Sequence, residues 1–277
     1  MHTSTSDALL NIVCEEFPTI LQSADGVTTW RRRIHHKPSH DEVSIPIEHS
    51  SEVYNLSSDP QQRSDVLNKF LNILDVNLGA KYTKVSKTIY ENDKSWKSNK
   101  LEEMLSPGLI YVSYWDEKYQ EPLLFLSFML TEGDGFIGTH SNDDDENEHN
   151  DQLMSVIYLY EIQILPQLRG QGIGTKLLSV HLHQCCSSLV TKYGKDFLPY
   201  PLVGIELTVF SDNIKAINFY KSIGMKLTPD SPTDEVYQIE KRQTRNLRRI
   251  NNAGTREVTK QIIKKPVYYL YYLPIDL

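Results

Sequence analysis

Residues 158–178, YLYEIQILPQLRGQGIGTKLL, constrain this chain more than any other stretch. An apolar, β-favouring run leads into a glycine-punctuated turn, and the turn opens an amphipathic helix. Arg169 is followed by Gly170, Gly172 and Gly174, with Gln171 and Ile173 between them and Thr175 after them, giving R-x-x-G-x-G. Glycines that dense at a helix start let backbone N–H groups close on an anion while the positive end of the helix dipole faces it. The stretch predicts a phosphate cradle between a strand and a helix. Two other cradles are excluded. A P-loop needs glycine five positions before Gly174, where Arg169 stands, and lysine directly after Gly174, where Thr175 stands. The dinucleotide fingerprint G-x-G-x-x-G fails at its third glycine, again at Thr175.

A chain of 277 residues allows one large domain, or one domain with extensions. The formal net charge of −7 argues against a nucleic-acid reader. Three cysteines, Cys14 and the adjacent Cys185 and Cys186, match no zinc spacing, and the odd number suits a reducing compartment. Neither a secretory leader nor a membrane-spanning apolar run is evident, so the expectation is a cytoplasmic and nuclear protein without metal or membrane partner.

In chain order, residues 1–60 read as a partly irregular extension, with one short helix near residues 7–17 and prolines beyond it. The run WRRRIHHK, residues 30–37, reads as a solvated surface stretch or, more sharply, as a ribosome- or nucleic-acid-contacting patch. From residue 64, Val66, Leu67, Phe70, Leu71, Ile73, Leu74 and Leu78 recur at helical spacing, with Gly79 as a stop. A second helix or helix pair carries Tyr90 and Trp96 to residue 105. Residues 109–115 and 123–130 predict an antiparallel hairpin. The acidic run near residues 133–151 is either a self-repelling loop or a lip that steers a basic substrate. The helix after the glycine loop buries Leu178, Leu182, Leu189 and the cysteine pair. A strand follows at residues 202–210, then a helix capped by Ser211 or Asn213 and closed by Gly224. Residues 241–265 read as a basic insertion, and the last strand is assigned to residues 267–273 in preference to 236–239.

The glycine loop and a second segment, TVFSDNIKAINFYKSIGM, with Asn213, Ala216, Phe219, Tyr220, Gly224 and Met225, together resemble the two acetyl-CoA signatures of the GCN5-related N-acetyltransferase superfamily. The resemblance covers roughly residue 65 to the C-terminus. It implies an α/β (α+β) fold: a central mixed, mostly antiparallel sheet flanked by helices and splayed at its central strands, with an N-terminal helical extension and a domain over residues 61–277. IYENDKSWK, YLYEIQI and LTVFSDN further resemble the N-alpha-acetyltransferase D family, whose substrates are the N-terminal serines of histones H-four and H-two-A, tails that begin Ser-Gly-Arg-Gly. That resemblance implies acetyl-CoA as cosubstrate and no metal. It implies Glu161 as the group that helps deprotonate the amine, and Tyr90 near the same amine. Tyr158, Tyr160 and Trp96 would line the peptide channel, together with Tyr268 or, on the other strand assignment, Tyr237. Thr131 stands where the family has an acidic residue, so Glu132 is taken as its substitute.

The superfamily resemblance also implies that backbone groups of Ile162, Gln163 and Ile164 hold the pantetheine arm like an added strand. The loop through Thr175 would hold the pyrophosphate, with Asn213 at the cofactor side. Tyr220 occupies the position of the general acid, or is a packing residue of its helix. Glu161 on an apolar strand is a candidate base, or else faces solvent or pairs with a lysine. Two other functional classes stay open: the same fold acting on a lysine side chain or small amine, and a non-catalytic ribosome or chromatin adaptor.

Overall fold

The computed structural model describes residues 4–39, 52–133, 153–243 and 256–275. The acidic run at 143–151 and the centre of the basic insertion lie outside them. The chain opens with α1 (Thr5–Glu16), started by Ser4, whose hydroxyl accepts from Asp7 N. Then come β1 (Ile20–Gln22), β2 (Thr29–His36) and β3 (Val53–Asn55). A 31-residue helix, α2 (Pro60–Tyr90), and the short α3 (Trp96–Glu103) precede the hairpin β4 (Ile110–Asp116) and β5 (Glu121–Gly133). Strand β6 (Met154–Ile164) enters the glycine loop. Beyond it a helical run comprises α4 (Ile173–Thr175), a π-helical segment (Lys176–Leu182) and α5 (His183–Tyr193). The remainder is β7 (Leu202–Phe210), α6 (Ile214–Ser222), β8 (Lys226–Leu227), β9 (Glu235–Gln243), β10 (Arg256–Lys264) and β11 (Tyr268–Pro274).

Nine strands among the described residues form one sheet, ordered β1-β2-β4-β5-β6-β7-β11-β8 with β3 added on β2. The pairs β6–β7 and β2–β3 are parallel and the others antiparallel. Alternation along the strands feeds two cores. Ile110, Val112 and Tyr114 of β4 join the cluster that holds α1, α5 and α6, while Tyr111 and Trp115 join the cluster under α2 and α3. In the second cluster the fully buried Phe70 stacks on Phe125 at 4.6 Å and on Tyr111 at 5.4 Å. Losing such a ring costs about 3–5 kcal/mol. In the first, Cys185 and Cys186 are buried packers, as the helical spacing predicts.

Three expectations need correction. The division at residue 60 is not present in the packed structure, because α1 supplies Leu9, Leu10, Ile12 and Val13 to the core and β2 pairs with β4 from Arg31 to His36. The run at 30–37 is therefore neither a solvated stretch nor a free basic patch. Arg32 is buried and donates to the carbonyls of Cys14 and Phe17 at the end of α1, Arg31 pairs with Glu117, and Arg33 lies over Trp115. Arginines with internal partners look the same in sequence as arginines in solvent. Nor does Gly79 stop α2. The helix runs on to a left-handed cap at Glu91; a Cβ at Gly79 would run into the Asp75 carboxylate one turn earlier, while Trp96 Cζ2, at 3.5 Å, would be in ordinary contact. Glycine in a helix costs ~1 kcal/mol against alanine, less than α2 gains by burying Phe70, Leu74 and Tyr82.

The assignment of the last strand holds. β11 sits between β7 and β8, whereas residues 236–239 belong to the separate β9–β10 pair. Asn213 occupies the cap position of α6 but makes no side-chain capping bond, and Ser211 donates to Pro266 O instead.

Candidate active site

The site begins where two parallel strands part. The β6–β7 ladder runs from Ser155–Leu202 to Leu159–Leu207 and ends there, although β6 continues to Ile164 and β7 to Phe210. On its other edge β6 stays paired with β5 as far as Leu124–Ile164. Beyond Leu159, then, β6 turns an unladdered edge toward a cavity of about 1070 Å³, which Tyr160, Glu161, Ile162, Gln163 and Ile164 line on one side and Thr208, Val209 and Phe210 on the other.

At one end of this cavity lies the glycine loop. Gly170 and Gly172 hold φ of +78° and +74°, the left-handed region that favours glycine. Gly174 is close-packed: a Cβ there would meet Phe219 Cζ at 3.2 Å, and the ring would have to give by a few tenths of an ångström. The first helical bond is Lys176 N to Gly172 O, so the N–H groups of Ile173, Gly174 and Thr175 precede it without intrahelical partners. Together with the open strand edge, these donors fit a ligand that has a phosphate end and an extended, amide-bearing arm.

The opposite end is a buried polar network. Glu161 is 7% exposed. Its Oε1 receives Lys100 Nζ at 2.7 Å and the Tyr82 hydroxyl at 3.2 Å, and its Oε2 receives Gln163 Nε2 at 2.7 Å. Lys100 also donates to Glu103 Oε2 at 2.7 Å, and Glu103 and Tyr90 both line the cavity. Burial works against the Lys100 ammonium, but Glu161, Tyr82 and Glu103 together drive its pKa well above the lysine range. Burial, and then the nearby carboxylates, push the phenols of Tyr82 and Tyr90 up, so both stay neutral. The network continues toward the loop. Asn77 Nδ2 donates to Gln163 Oε1 at 2.9 Å, and Arg169 donates to Asn77 Oδ1 and, from Nε, to Ile164 O at 3.0 Å.

Most residues singled out from the sequence meet in this cavity: Tyr90, Glu132, Tyr158, Tyr160, Glu161, Ile162, Gln163, Ile164, Arg169, Gly170, Gly172, Ile173, Gly174, Thr175, Asn213, Tyr220 and Tyr268 all line it. Tyr158 shares a hydrogen bond with Thr208 of β7, and its ring meets Tyr160 edge-on at 4.9 Å. Tyr220 is at once a core member and a lining residue, its phenol pushed up by burial. Glu161 lines the cavity and pairs with a lysine, Lys100.

Two expected residues stand elsewhere. Trp96 does not line the cavity: it is buried flat against Tyr82 at 5.1 Å, behind the wall, because the uninterrupted α2 brings Tyr82 over it. The Gln171 side chain turns away to accept from Ala24 N and donate to Gln167 O. Tyr237, the alternative to Tyr268, is an exposed residue of the β9–β10 pair outside the lining. Sequence reasoning missed Asn77, Tyr82, Lys100 and Glu103. One signal was available for Lys100: it follows Trp96 by four residues in a helix, which puts a cation on the tryptophan's buried face.

A mixed sheet whose parallel central pair splays beside a glycine loop and a helix start is the architecture of a GCN5-related N-acetyltransferase. No protein-family model matches the chain. It is 33% identical over 271 residues to N-alpha-acetyltransferase 40 of Saccharomyces cerevisiae, a match spanning 95% of this chain and 86% of that protein. The chain belongs to the N-alpha-acetyltransferase 40 family. A local match, 36% identical over 72 residues, relates 24% of the chain to 33% of the thialysine N-epsilon-acetyltransferase of Mus musculus. Among solved structures, the GNAT domain of S. lividans PAT aligns over 94% of this chain and 100% of its own, at 10% identity and a TM-score of 0.41. Arabidopsis thaliana NAA60 in complex with a bisubstrate analogue aligns over 70% of this chain and 91% of its own, at 15% identity and a TM-score of 0.32.

Proposed function

We propose that the protein transfers acetyl from acetyl-CoA to the N-terminal α-amine of protein chains, its acceptors being tails that begin Ser-Gly-Arg-Gly, as in histones H-four and H-two-A. The observation that carries this reading is the single cavity joining the glycine loop, the open edge of β6 and the wall of Tyr158, Tyr160 and Glu161. Family membership supports the α-amine as acceptor.

When bound, acetyl-CoA supplies the acetyl group as a thioester, an electrophile for a neutral amine. The chain's own residues do the rest. Backbone N–H groups from Ile173 to Thr175 would hold the phosphates, and the unladdered edge of β6 along Ile162 and Ile164 would align the arm. An α-amine with a pKa of ~7.7–8.0 is already partly neutral near pH 7, so a strong base is unnecessary. Glu161 accepts a hydrogen from that amine, directly or through one water, and so directs its lone pair toward the carbonyl. Tyr220, its phenol kept protonated by burial, is the proton donor on the cofactor side. Tyr158, Tyr160 and Tyr268 wall the peptide entry, and Glu132, Glu103 and Asp230 line it with carboxylates suited to an arginine near the peptide start.

The test is a panel of peptides beginning Ser-Gly-Arg-Gly, incubated with labelled acetyl-CoA. Label is expected on the free α-amine alone, with weaker transfer when the arginine is replaced. Equal labelling of a peptide whose α-amine is blocked would overturn the reading in favour of a lysine acceptor.

A further inference from the structure

Glu161 is a buried carboxylate in the wall of the cavity, and the groups around it decide its aim. Three donors are already placed on it: Lys100 and Tyr82 on Oε1, and Gln163 on Oε2. An ionised carboxylate offers about four acceptor positions. One is left, on Oε2, and Glu161 lines the cavity. We propose that Lys100 is a positioning residue for acetyl transfer: its ammonium clamps Oε1 of Glu161, leaves the free position of Oε2 for the acceptor amine, and divides its charge between Glu161 and Glu103. The proposal rests on the reading of Glu161 as the group that accepts the amine's hydrogen.

The charge count supports it. Tyr82 and Tyr90 of α2, Tyr111 of β4 and Tyr220 of α6 face the cluster, and burial pushes each phenol up, so all four are neutral. Tyr158 and Tyr160, on the same strand as Glu161, are raised too, burial again being the larger cause. Within the hydrogen-bonded cluster the charged groups are Glu161, Glu103 and Lys100, while Glu132, Glu206 and Arg169 also line the cavity. The ammonium is shared by the two carboxylates, so its removal takes the opposite charge from beside both and frees Oε1 of Glu161. By formal charge the two carboxylates and one ammonium sum to one negative unit, attractive to an incoming α-ammonium. Lys100 is 5% exposed, its Nζ lies 5.2 Å from the centre of the Tyr82 ring, and α3 is fixed to α2 by the Trp96–Tyr82 stack. The helix that carries the ammonium is therefore fixed before any acceptor arrives.

The experiment measures kcat against pH at saturating acetyl-CoA and acceptor peptide for wild type, Lys100→Met, Glu103→Gln and Glu161→Gln, with acetyl-CoA affinity by calorimetry as the check on folding. Lys100→Met is expected to lower kcat about 10–100-fold and to move the acidic limb of the profile up by about one pH unit or more, with cofactor affinity within about twofold of wild type. Glu103→Gln, which leaves the ammonium to Glu161 alone, is expected to move the same limb down. A scaffold role for Lys100 would not produce shifts of opposite sign. An unmoved limb in Lys100→Met, or shifts of the same sign in both variants, overturns the clamp. Should Lys100→Met fail to bind cofactor, Glu103→Gln decides alone, and an unmoved or raised limb overturns the proposal. Full turnover in Glu161→Gln removes the reading of Glu161 and the clamp together. Loss of turnover there with an unmoved limb in Lys100→Met removes only the clamp.

Discussion

Residues 169–175 reach the cavity as one continuous loop, whereas the opposite wall gathers Tyr82 and Tyr90 from α2, Lys100 and Glu103 from α3, and Glu161 from β6. The loop works through backbone: two left-handed glycines, one glycine pressed against Phe219, and N–H groups ahead of a helix. The wall works through side chains: Tyr82 and Lys100, both more than 60 residues from Glu161 in sequence, meet its carboxylate at 3.2 and 2.7 Å. A backbone cradle is specified locally and recognises a group shared by many acyl donors. A side-chain wall is specified only by packing, and that is where one acceptor can be preferred over another.

The contrast can be broken most directly at the wall. Glu161→Gln keeps the shape and removes the charge; kcat is expected to fall about 10²–10⁴-fold while acetyl-CoA affinity holds. A steady-state assay with calorimetric cofactor titration would show whether the two ends separate in this way, and an equal loss of affinity would show that they do not. At the loop the reverse is expected. Gly172→Val places a β-branched residue at φ +74° and must relax the turn, which binding has to restore at ~1–2 kcal/mol, or about 5–30-fold in cofactor affinity. Stopped-flow single turnover at saturating cofactor is expected to be close to wild type.

Acid should distinguish the two sides as well. His35 packs edge-on to Phe70 of α2 at 5.8 Å, and burial, then the Arg33 and His36 charges, hold its pKa down to about 3 against 6.5. Below pH 6.5 the unfolded chain takes up this proton and the folded one does not, so stability is complete above 6.5 and falls as the pH drops toward 3. The slope is about 1.4 kcal/mol per pH unit. Urea denaturation between pH 7 and 5 is expected to show it, and His35→Phe to flatten it. The smallest effect separates two tyrosines: Tyr268→Ala should raise the peptide KM several-fold, while Tyr237→Ala, outside the cavity, should leave it within about twofold.

The parts of the fold that could be read in the chain were those with a short-range cause. The hairpin of β4 and β5, the buried cysteines of α5, the strand at β11 and the cofactor loop all follow from period, turn chemistry or motif. The misreadings share the opposite property. Gly79 looks like a helix stop because the packing that carries α2 on to Glu91 comes from other elements, and residues 30–37 look like a surface run because the carbonyls and rings that engage those arginines come from α1 and β4. Trp96 was assigned to the peptide channel although it supports that channel from behind.

By itself the sequence determined the superfamily, the cofactor end of the site and the strand that carries Glu161, since each rests on residues within a few positions of one another. Only the tertiary structure decided what surrounds Glu161. That a lysine on α3, a tyrosine on α2 and a glutamine two residues along β6 converge on one carboxylate depends on how three elements pack across the sheet. Buried charge is stable only where partners from several elements meet it, and no local pattern encodes that meeting.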